Sequence, residues 1–279
     1  MKRWLINELF QFVVLKKLYH QAKDYDFVIN NDWIGYNIIL NGYYEKEQLS
    51  EIIKRLNFDI KTYDLLDIGA NIGNHTVFFS KYFKHIHSFE PQLRTFQILK
   101  LNTSRLGNVS LNNFGISTEE REVIFKIPFN NSGAASQVSS ELLYYEELVN
   151  LKNIPNHNYS DVSVIKLDVE GSEIDVINSC KGLIDLTKPI LLFELNKNAD
   201  HALLDLLKNL GYSNFYSQGK LDIMNRFSGR SLFHKIFRLF LRGIYYKRNK
   251  NIYKVTDFKN IDYPLVIATH PDSMFSFNY

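Results

Sequence analysis

Between Leu65 and Asn74 the chain reads Leu-Leu-Asp-Ile-Gly-Ala-Asn-Ile-Gly-Asn, and this stretch limits the available folds more than any other. The residues up to Ile68 have the apolar character of a buried strand, and a helical run begins at Asn74. A strand that turns sharply into a helix leaves backbone N–H groups open at the helix start. Gly69 and Gly73 carry no Cβ, so the turn can be tight and a ligand can approach its backbone. Asp67, at the strand's end, sets a carboxylate beside the same spot. The pattern predicts a small-molecule site outside the carboxyl end of a strand.

From Tyr63 onward the periodicity switches back and forth between strand and helix. Strands are predicted at 63–68, 86–90, 109–114, 163–168, 189–194, 213–216 and 265–268. Helices are predicted at 74–83, 92–106, 170–180 and 198–210, and 122–127 reads as an added strand, half of a hairpin. Such alternation implies an α/β fold, a mostly parallel seven-stranded sheet with helices on both faces. Ahead of it, 2–22 reads as a helix with apolar residues on nearly every side, 27–40 as extended, and 45–56 as an amphipathic helix. Residues 1–60 are therefore expected to form a helical and extended N-terminal extension, and 61–279 the main domain. Residues 129–162 and 219–250 interrupt the alternation. The first is polar, with an aromatic and acidic patch at Tyr144-Tyr145-Glu146-Glu147, and reads as a lid or binding loop.

The strand ends carry Asp67, Glu90, Asn113, Asp168 and Glu194, a polar rim on one edge of the sheet. Glu90 lies 23 positions after Asp67 and 17 after Gly73. That is close to the interval of about 20 at which an acidic residue accepts hydrogen bonds from ribose hydroxyls in nucleotide folds. A dinucleotide fingerprint needs a glycine where Asn71 stands, to let a diphosphate approach. No Gly-Lys-Ser or Gly-Lys-Thr follows either, so a P-loop is excluded. A ribose-bearing ligand without phosphates points to S-adenosylmethionine, whose amino and carboxylate groups can use the glycine turn and Asp67.

Three motifs now stand in order: Asp67-Ile68-Gly69-Ala70-Asn71-Ile72-Gly73, Phe89-Glu90-Pro91, and Ile165-Lys166-Leu167-Asp168-Val169-Glu170-Gly171-Ser172-Glu173. Together they resemble the motifs of the FkbM family of S-adenosylmethionine-dependent methyltransferases. The likeness runs from about Gly42 to Leu195, with a weaker echo at Tyr263–His270. It implies a Rossmann-like methyltransferase fold and O-methylation of a hydroxyl on a sugar, a glycan of the cell-surface polysaccharide or glycolipid type, or a natural product. Carried over onto this sequence, Asp67, Gly69, Asn71 and Gly73 would cradle the cofactor's methionine part, with Ala70 and Asn74 in the same turn. Glu90, followed by Pro91, would bind the ribose, and Asn113, Phe114 and Gly115 would lie near the adenine. Asp168 and Glu170 would face the transferred methyl, and Thr118 stands where an acidic residue is frequent in the family.

The sulfonium already activates the methyl group, so the protein must align an acceptor oxygen and remove its proton. Alignment contributes roughly 7–11 kcal/mol, and a general base about 10²–10⁴-fold. Candidate bases are Asp168, Glu170 and Glu194. Lys166, two positions before Asp168 on the same strand face, either assists the chemistry or holds Asp168 ionised. Asp168, Glu194 and Asn196 could supply oxygen ligands to Mg²⁺, a weaker reading. The eight histidines are scattered, and zinc-ligand spacing is absent.

Charge is uneven along the 279 residues. Nine basic and no acidic residues fall between Arg226 and Lys254, and taking them from the formal net charge of +3 leaves −6 for the remainder. On a helical wheel Phe233, Ile236, Phe237, Phe240, Leu241 and Ile244 lie together, opposite His234, Lys235, Arg238 and Arg242. This basic amphipathic insertion suits an anionic membrane surface, or else packs on the domain or on a second copy in a homo-oligomer. The single cysteine, Cys180, rules out an internal disulfide. The basic start at Met1-Lys2-Arg3 is followed by no cleavage site, and no run of about 18 apolar residues occurs. A cytoplasmic enzyme, peripheral to the inner membrane face, is the expectation. A non-catalytic membrane-associated protein retaining the fold would lack reason to keep Gly69, Gly73 and Glu90. A nucleic-acid methyltransferase would carry an Asn-Pro-Pro-Tyr type of motif where Asp168-Val169-Glu170 stands, so no nucleic-acid partner is expected.

Overall fold

A computed structural model describes residues 22–27, 33–128, 144–154, 156–169, 171–195, 201–218, 252–258 and 263–279. All but the last residue of the predicted helix at 2–22, the candidate residues Glu170 and Asn196, and the basic segment 219–250 lie outside the described residues. The chain opens with helices α1 (Trp33–Asn41) and α2 (Lys46–Arg55). Then β1 (Asp64–Ile68), α3 (Asn74–Phe79), β2 (His85–Phe89), α4 (Leu93–Thr103) and β3 (Val109–Asn112) alternate. A short strand β4 (Gly115–Ile116) precedes the hairpin β5 (Arg121–Pro128) and β6 (Tyr144–Lys152). The alternation resumes with β7 (Val162–Leu167), α5 (Glu173–Ser179), α6 (Lys181–Thr187), β8 (Ile190–Leu195) and α7 (His201–Asn209). Strands β9 (Asn214–Gln218), β10 (Ile252–Lys254) and β11 (Tyr263–Thr269) complete it.

The main sheet has eight strands in the order β10-β9-β11-β8-β7-β1-β2-β3. From β3 to β8 every pairing is parallel, while β11 runs antiparallel to both β8 and β9. After β1 the chain builds outward through β2 and β3, then returns to place β7 on β1's other side. The order therefore reverses between β1 and β7, and a ligand crevice opens at their carboxyl ends.

Each face of the sheet has its own apolar layer. Leu66, Ile68, Ile165 and Leu167 pack against α5, α6 and α7 through residues such as Val176, Leu183 and Leu204. Leu65, Val164 and Leu192 face the other way, sharing a cluster with Phe79 of α3 and with Ile38, Leu49 and Ile52 of the N-terminal helices. Fully burying an Ile or Leu is worth about 1.5–3 kcal/mol, so α1 and α2 contribute substantially to this layer.

Four expectations differ from the structure. Of the stretch 27–40 expected to be extended, residues 33–40 belong to α1, because Ile34 and Ile38 are one helical turn apart and Ile38 is fully buried. Within the expected loop 129–162, Tyr144–Lys152 is the second strand of the hairpin begun by β5. The helix expected at 170–180 gives way after Ser179 to a second short helix, α6. The sheet gains an eighth strand because Ile252–Lys254, just after the basic segment, pairs with β9. No described helix is long and apolar enough to cross a membrane.

Candidate functional site

The turn after β1 is held open by backbone geometry. Gly69 sits at φ 76°, and a Cβ there would lie 1.9 Å from the carbonyl oxygen of Asp168. The tip of β7 thus passes directly over the turn, and only glycine fits between. The N–H groups of Gly69 and Ala70 both donate to the carbonyl of Phe89, tying the turn to the end of β2. Asn71 follows in the left-handed region at φ 51°, its side-chain oxygen accepting from the N–H of Ile72. Asn and Asp tolerate that region because they can bond locally in this way. Gly73, at φ 95°, lets α3 start against Leu99 of α4, where a Cβ would come within 2.9 Å of the leucine.

Glu90 is 4% exposed, and backbone groups clamp both of its oxygens. Asn71 N–H donates to Oε2 and Gln92 N–H to Oε1, each at 2.9 Å. Burial pushes its carboxyl up to about 7, against the pull of those two N–H groups and of Lys166. A carboxylate has about four lone-pair sites, so two remain for a ligand. Asn113 braces the same loop, its side-chain NH₂ donating to the carbonyls of Glu90 and Pro91.

A cleft with about 840 Å³ of empty space opens here. Gly69, Asn71, Glu90, Pro91, Gly115 and Asp168 line it. Six other residues of the expected cofactor set are not among its described lining. Asp67 is fully buried on the α3 side, its Oδ2 accepting from the Thr76 hydroxyl at 2.6 Å and its Oδ1 3.3 Å from Lys166 Nζ. Ala70 is 2% exposed. Gly73 faces Leu99, and Asn74 is turned toward the N-terminal helices, exchanging hydrogen bonds with both backbone groups of Tyr44. Phe114 packs edge-on against Phe89, and Asn113 serves the brace just described. Sequence reasoning missed Gln92, Arg121 and Phe125, which also line the cleft. Arg121 and Phe125 share a face of β5, because they are four positions apart in a strand; that parity was the available signal. Thr118 finds its acid in space: Asp175 accepts from both its N–H and its hydroxyl.

Lys166 joins the turn to β7. It is the register partner of Asp67, and its Nζ lies 3.3 Å from Asp67 Oδ1, 3.3 Å from Asp168 Oδ2 and 3.1 Å from the Gly69 carbonyl it donates to. Burial alone would lower this ammonium's pKa; the two carboxylates outweigh it and raise the value. Asp168 is partly exposed and lines two clefts, the one above and a narrower one whose empty space, open solvent included, is about 390 Å³. Lys166 and Glu194 of the expected catalytic set also line that second cleft, together with Glu45, Gln48 and His75. Among the described residues, no group of three or more His, Cys, Asp and Glu side chains is arranged to hold a metal ion.

The main sheet, the glycine turn and the clamped glutamate form a methyltransferase-like α/β fold with its crevice in the expected place. Among solved structures, a methyltransferase FkbM from Methylobacillus flagellatus KT is 16% identical over 70% of this chain and 51% of its own, with a TM-score of 0.37. The chain therefore spans about half the length of that protein. A putative methyltransferase from Streptococcus mutans, in complex with SAH, is 11% identical over 80% of this chain and 96% of its own, with a TM-score of 0.40. An rRNA methylase from Streptococcus thermophilus is 9% identical over 83% and 94%, with a TM-score of 0.41. No curated protein matches the chain. A model of the methyltransferase FkbM domain matches residues 67–213, just over half the sequence and every motif described above, and the chain belongs to the FkbM methyltransferase family.

Proposed function

We propose that this methyltransferase uses S-adenosylmethionine to methylate a hydroxyl, on a sugar, a glycan or a natural product. One observation carries the cofactor: the large cleft offers Glu90 with two unused lone-pair sites beside a glycine turn. The rest of the lining fits the same group. Gln92 Oε1 is buried in that cleft with no hydrogen-bond partner among the described residues, and a ribose hydroxyl or adenine amino group would supply one. At Gly115 a Cβ would meet Leu151 at 2.7 Å, so the wall there is as thin as a chain can make it. Arg121 and Phe125 line the same space. The turn and Asp168 would hold the methionine part, and Glu90 the ribose. The bound cofactor supplies an activated methyl; the chain's part is to position the acceptor oxygen and accept its proton.

Calorimetric titration with S-adenosylhomocysteine tests the cofactor, and Glu90→Ala should weaken binding by about tenfold or more, as expected for a lost charge-assisted hydrogen bond. Labelled S-adenosylmethionine incubated with nucleotide sugars and lipid-linked saccharides tests the acceptor. Transfer of label to an amine or nucleic acid, and to no hydroxyl compound, would overturn the O-methylation reading.

The anionic membrane surface remains the proposed partner of 231–250, on the strength of its basic amphipathic pattern. It would bring the enzyme to lipid-linked saccharides at the cytoplasmic face. Co-sedimentation with phosphatidylglycerol vesicles checks it: binding should disappear when Lys235, Arg238 and Arg242 are changed to glutamate, and unchanged binding would rule the segment out.

A further inference from the structure

The second cleft shares Asp168 with the cofactor cleft, and part of its lining comes from outside the family match. Glu45 and Gln48 belong to the N-terminal extension, ahead of residue 67 where that match begins. Glu45 caps α2 in the left-handed region, at φ 57° and ψ 24°. A non-glycine residue there costs about 1–3 kcal/mol and persists where its surroundings impose it. Its carboxylate lies 3.5 Å from Nε2 of His75, both side chains being 13% exposed. The His75 ring lies near-parallel to that of Phe79, with centroids 6.3 Å apart and planes at 24°. Gln48 Oε1 is buried without a hydrogen-bond partner among the described residues, in the lining of the same cleft.

We propose that this second cleft is the acceptor site, that it takes a neutral hydroxyl-bearing group, and that His75, oriented by Glu45, receives the hydroxyl's proton. The assignment rests on the methyl-transfer reading above. The choice of ligand follows from charge and hydrogen bonding. Carboxylates of Glu45, Asp168 and Glu194 line the cleft, and its Lys166 is committed to Asp67, Asp168 and the Gly69 carbonyl. A phosphate in this space would meet like charge, whereas a sugar hydroxyl would satisfy Gln48 Oε1 without adding charge. Phosphates of an activated sugar would have to stay outside. The choice of base follows from occupancy: Asp168 Oδ2 is engaged by Lys166, while a His–Glu pair is an arrangement that takes a proton and stabilises the cation formed. In the step, the acceptor oxygen forms a bond to the methyl carbon as the carbon–sulfur bond breaks. The breaking bond's electron pair goes to sulfur, giving the neutral thioether, and the hydroxyl proton goes to the imidazole and then to solvent.

The test uses the full chain with S-adenosylhomocysteine, and the ring resonances of His75 assigned by their loss in His75→Gln. Methyl glycosides of common hexoses and deoxyhexoses are titrated against glucose 1-phosphate. Absence of S-adenosylhomocysteine binding would remove the methyl-transfer reading itself. With that binding present, saturable shifts of the His75 resonances by at least one glycoside, and weaker or no shifts by the phosphate, are expected. No glycoside effect, or an equal effect of the phosphate, would overturn the acceptor site. The glycoside that binds should be methylated when S-adenosylmethionine replaces the product, and failure to methylate it would also overturn the site. Turnover should fall about 100-fold or more in His75→Gln, and less in Glu45→Gln, with S-adenosylhomocysteine affinity within threefold of the parent in both. Turnover within threefold of the parent in His75→Gln, or in Glu45→Gln if the first variant does not fold, would overturn the proton-accepting role.

Discussion

Glu90 and Gly69 show how single residues are shaped by the site at the expense of ordinary preferences. Burial pushes the Glu90 carboxyl up to about 7, so the free protein carries a mixture of neutral and ionised forms near neutrality. On the proposed reading, ribose hydroxyls would donate to the ionised form and stabilise it. Affinity for S-adenosylhomocysteine should therefore be highest above pH 7 and fall as the pH drops through 7, approaching tenfold per unit below it. Calorimetry between pH 5.5 and 8.5 checks this, and repeating it in buffers of different ionisation enthalpy should show proton release on binding near pH 7. A flat affinity over that range would mean that Glu90 does not contact the ligand. At Gly69 the constraint is steric. Gly69→Ala would drive a Cβ to 1.9 Å from a backbone oxygen of the adjacent strand, in a conformation that alanine avoids. The expected result is a chain that fails to fold or melts far below the parent, by more than the roughly 1–3 kcal/mol of a positive φ alone.

At the scale of elements, local features were legible in the sequence and pairings were not. Strand β1, its glycine turn and α3 could be read because each signal lies within a few residues. The direction of Asp67 could not, because β1 is apolar on both faces: Leu65 and Leu66 are both fully buried, so no alternation shows which way the third residue points. Strand β6 was hidden for the opposite reason. Its Glu146, Leu148 and Asn150 face solvent and, among its described side chains, only Val149 is buried, so it reads as a polar loop until it is paired with β5. The link between Glu45 and His75 spans 30 positions and leaves no local trace. Asn74 is a junction of the same kind, 4% exposed, bonding Tyr44 N–H at 2.9 Å and Tyr44 C=O at 3.1 Å. Asn74→Ala would leave those backbone groups without their partner, at a cost of about 2–3 kcal/mol. Urea unfolding should show the midpoint lowered with an unchanged slope. If Asn74 instead served mainly to bind the cofactor, stability would hold and only affinity would fall.

Across the whole molecule the N-terminal helices are structural partners of the sheet as well as neighbours of its site. Leu49 and Ile52 of α2 are buried in the layer that contains Leu65 of β1, Phe79 of α3 and Ile267 of β11. The C-terminal residues are stitched to the end of the same helix: Asn57 N–H donates to the Ser276 carbonyl, Asn278 N–H to that of Arg55, and Leu56 bridges Phe277. Removing 1–60 would strip one face of the sheet, release the C-terminal segment, and delete Glu45 and Gln48 from the second cleft. Each large apolar side chain uncovered forfeits a part of its roughly 1.5–3 kcal/mol of burial, against a net stability for most proteins of about 5–15 kcal/mol. A chain beginning at residue 61 should therefore aggregate or lose its cooperative thermal transition, as read by circular dichroism and gel filtration. A truncated chain that melts cooperatively within a few degrees of the full one would show that the sheet is stable without the extension. In that case S-adenosylhomocysteine binding should survive truncation, since the described lining of the cofactor cleft begins at Ile68, while the response of His75 to glycosides should be lost with its partner Glu45.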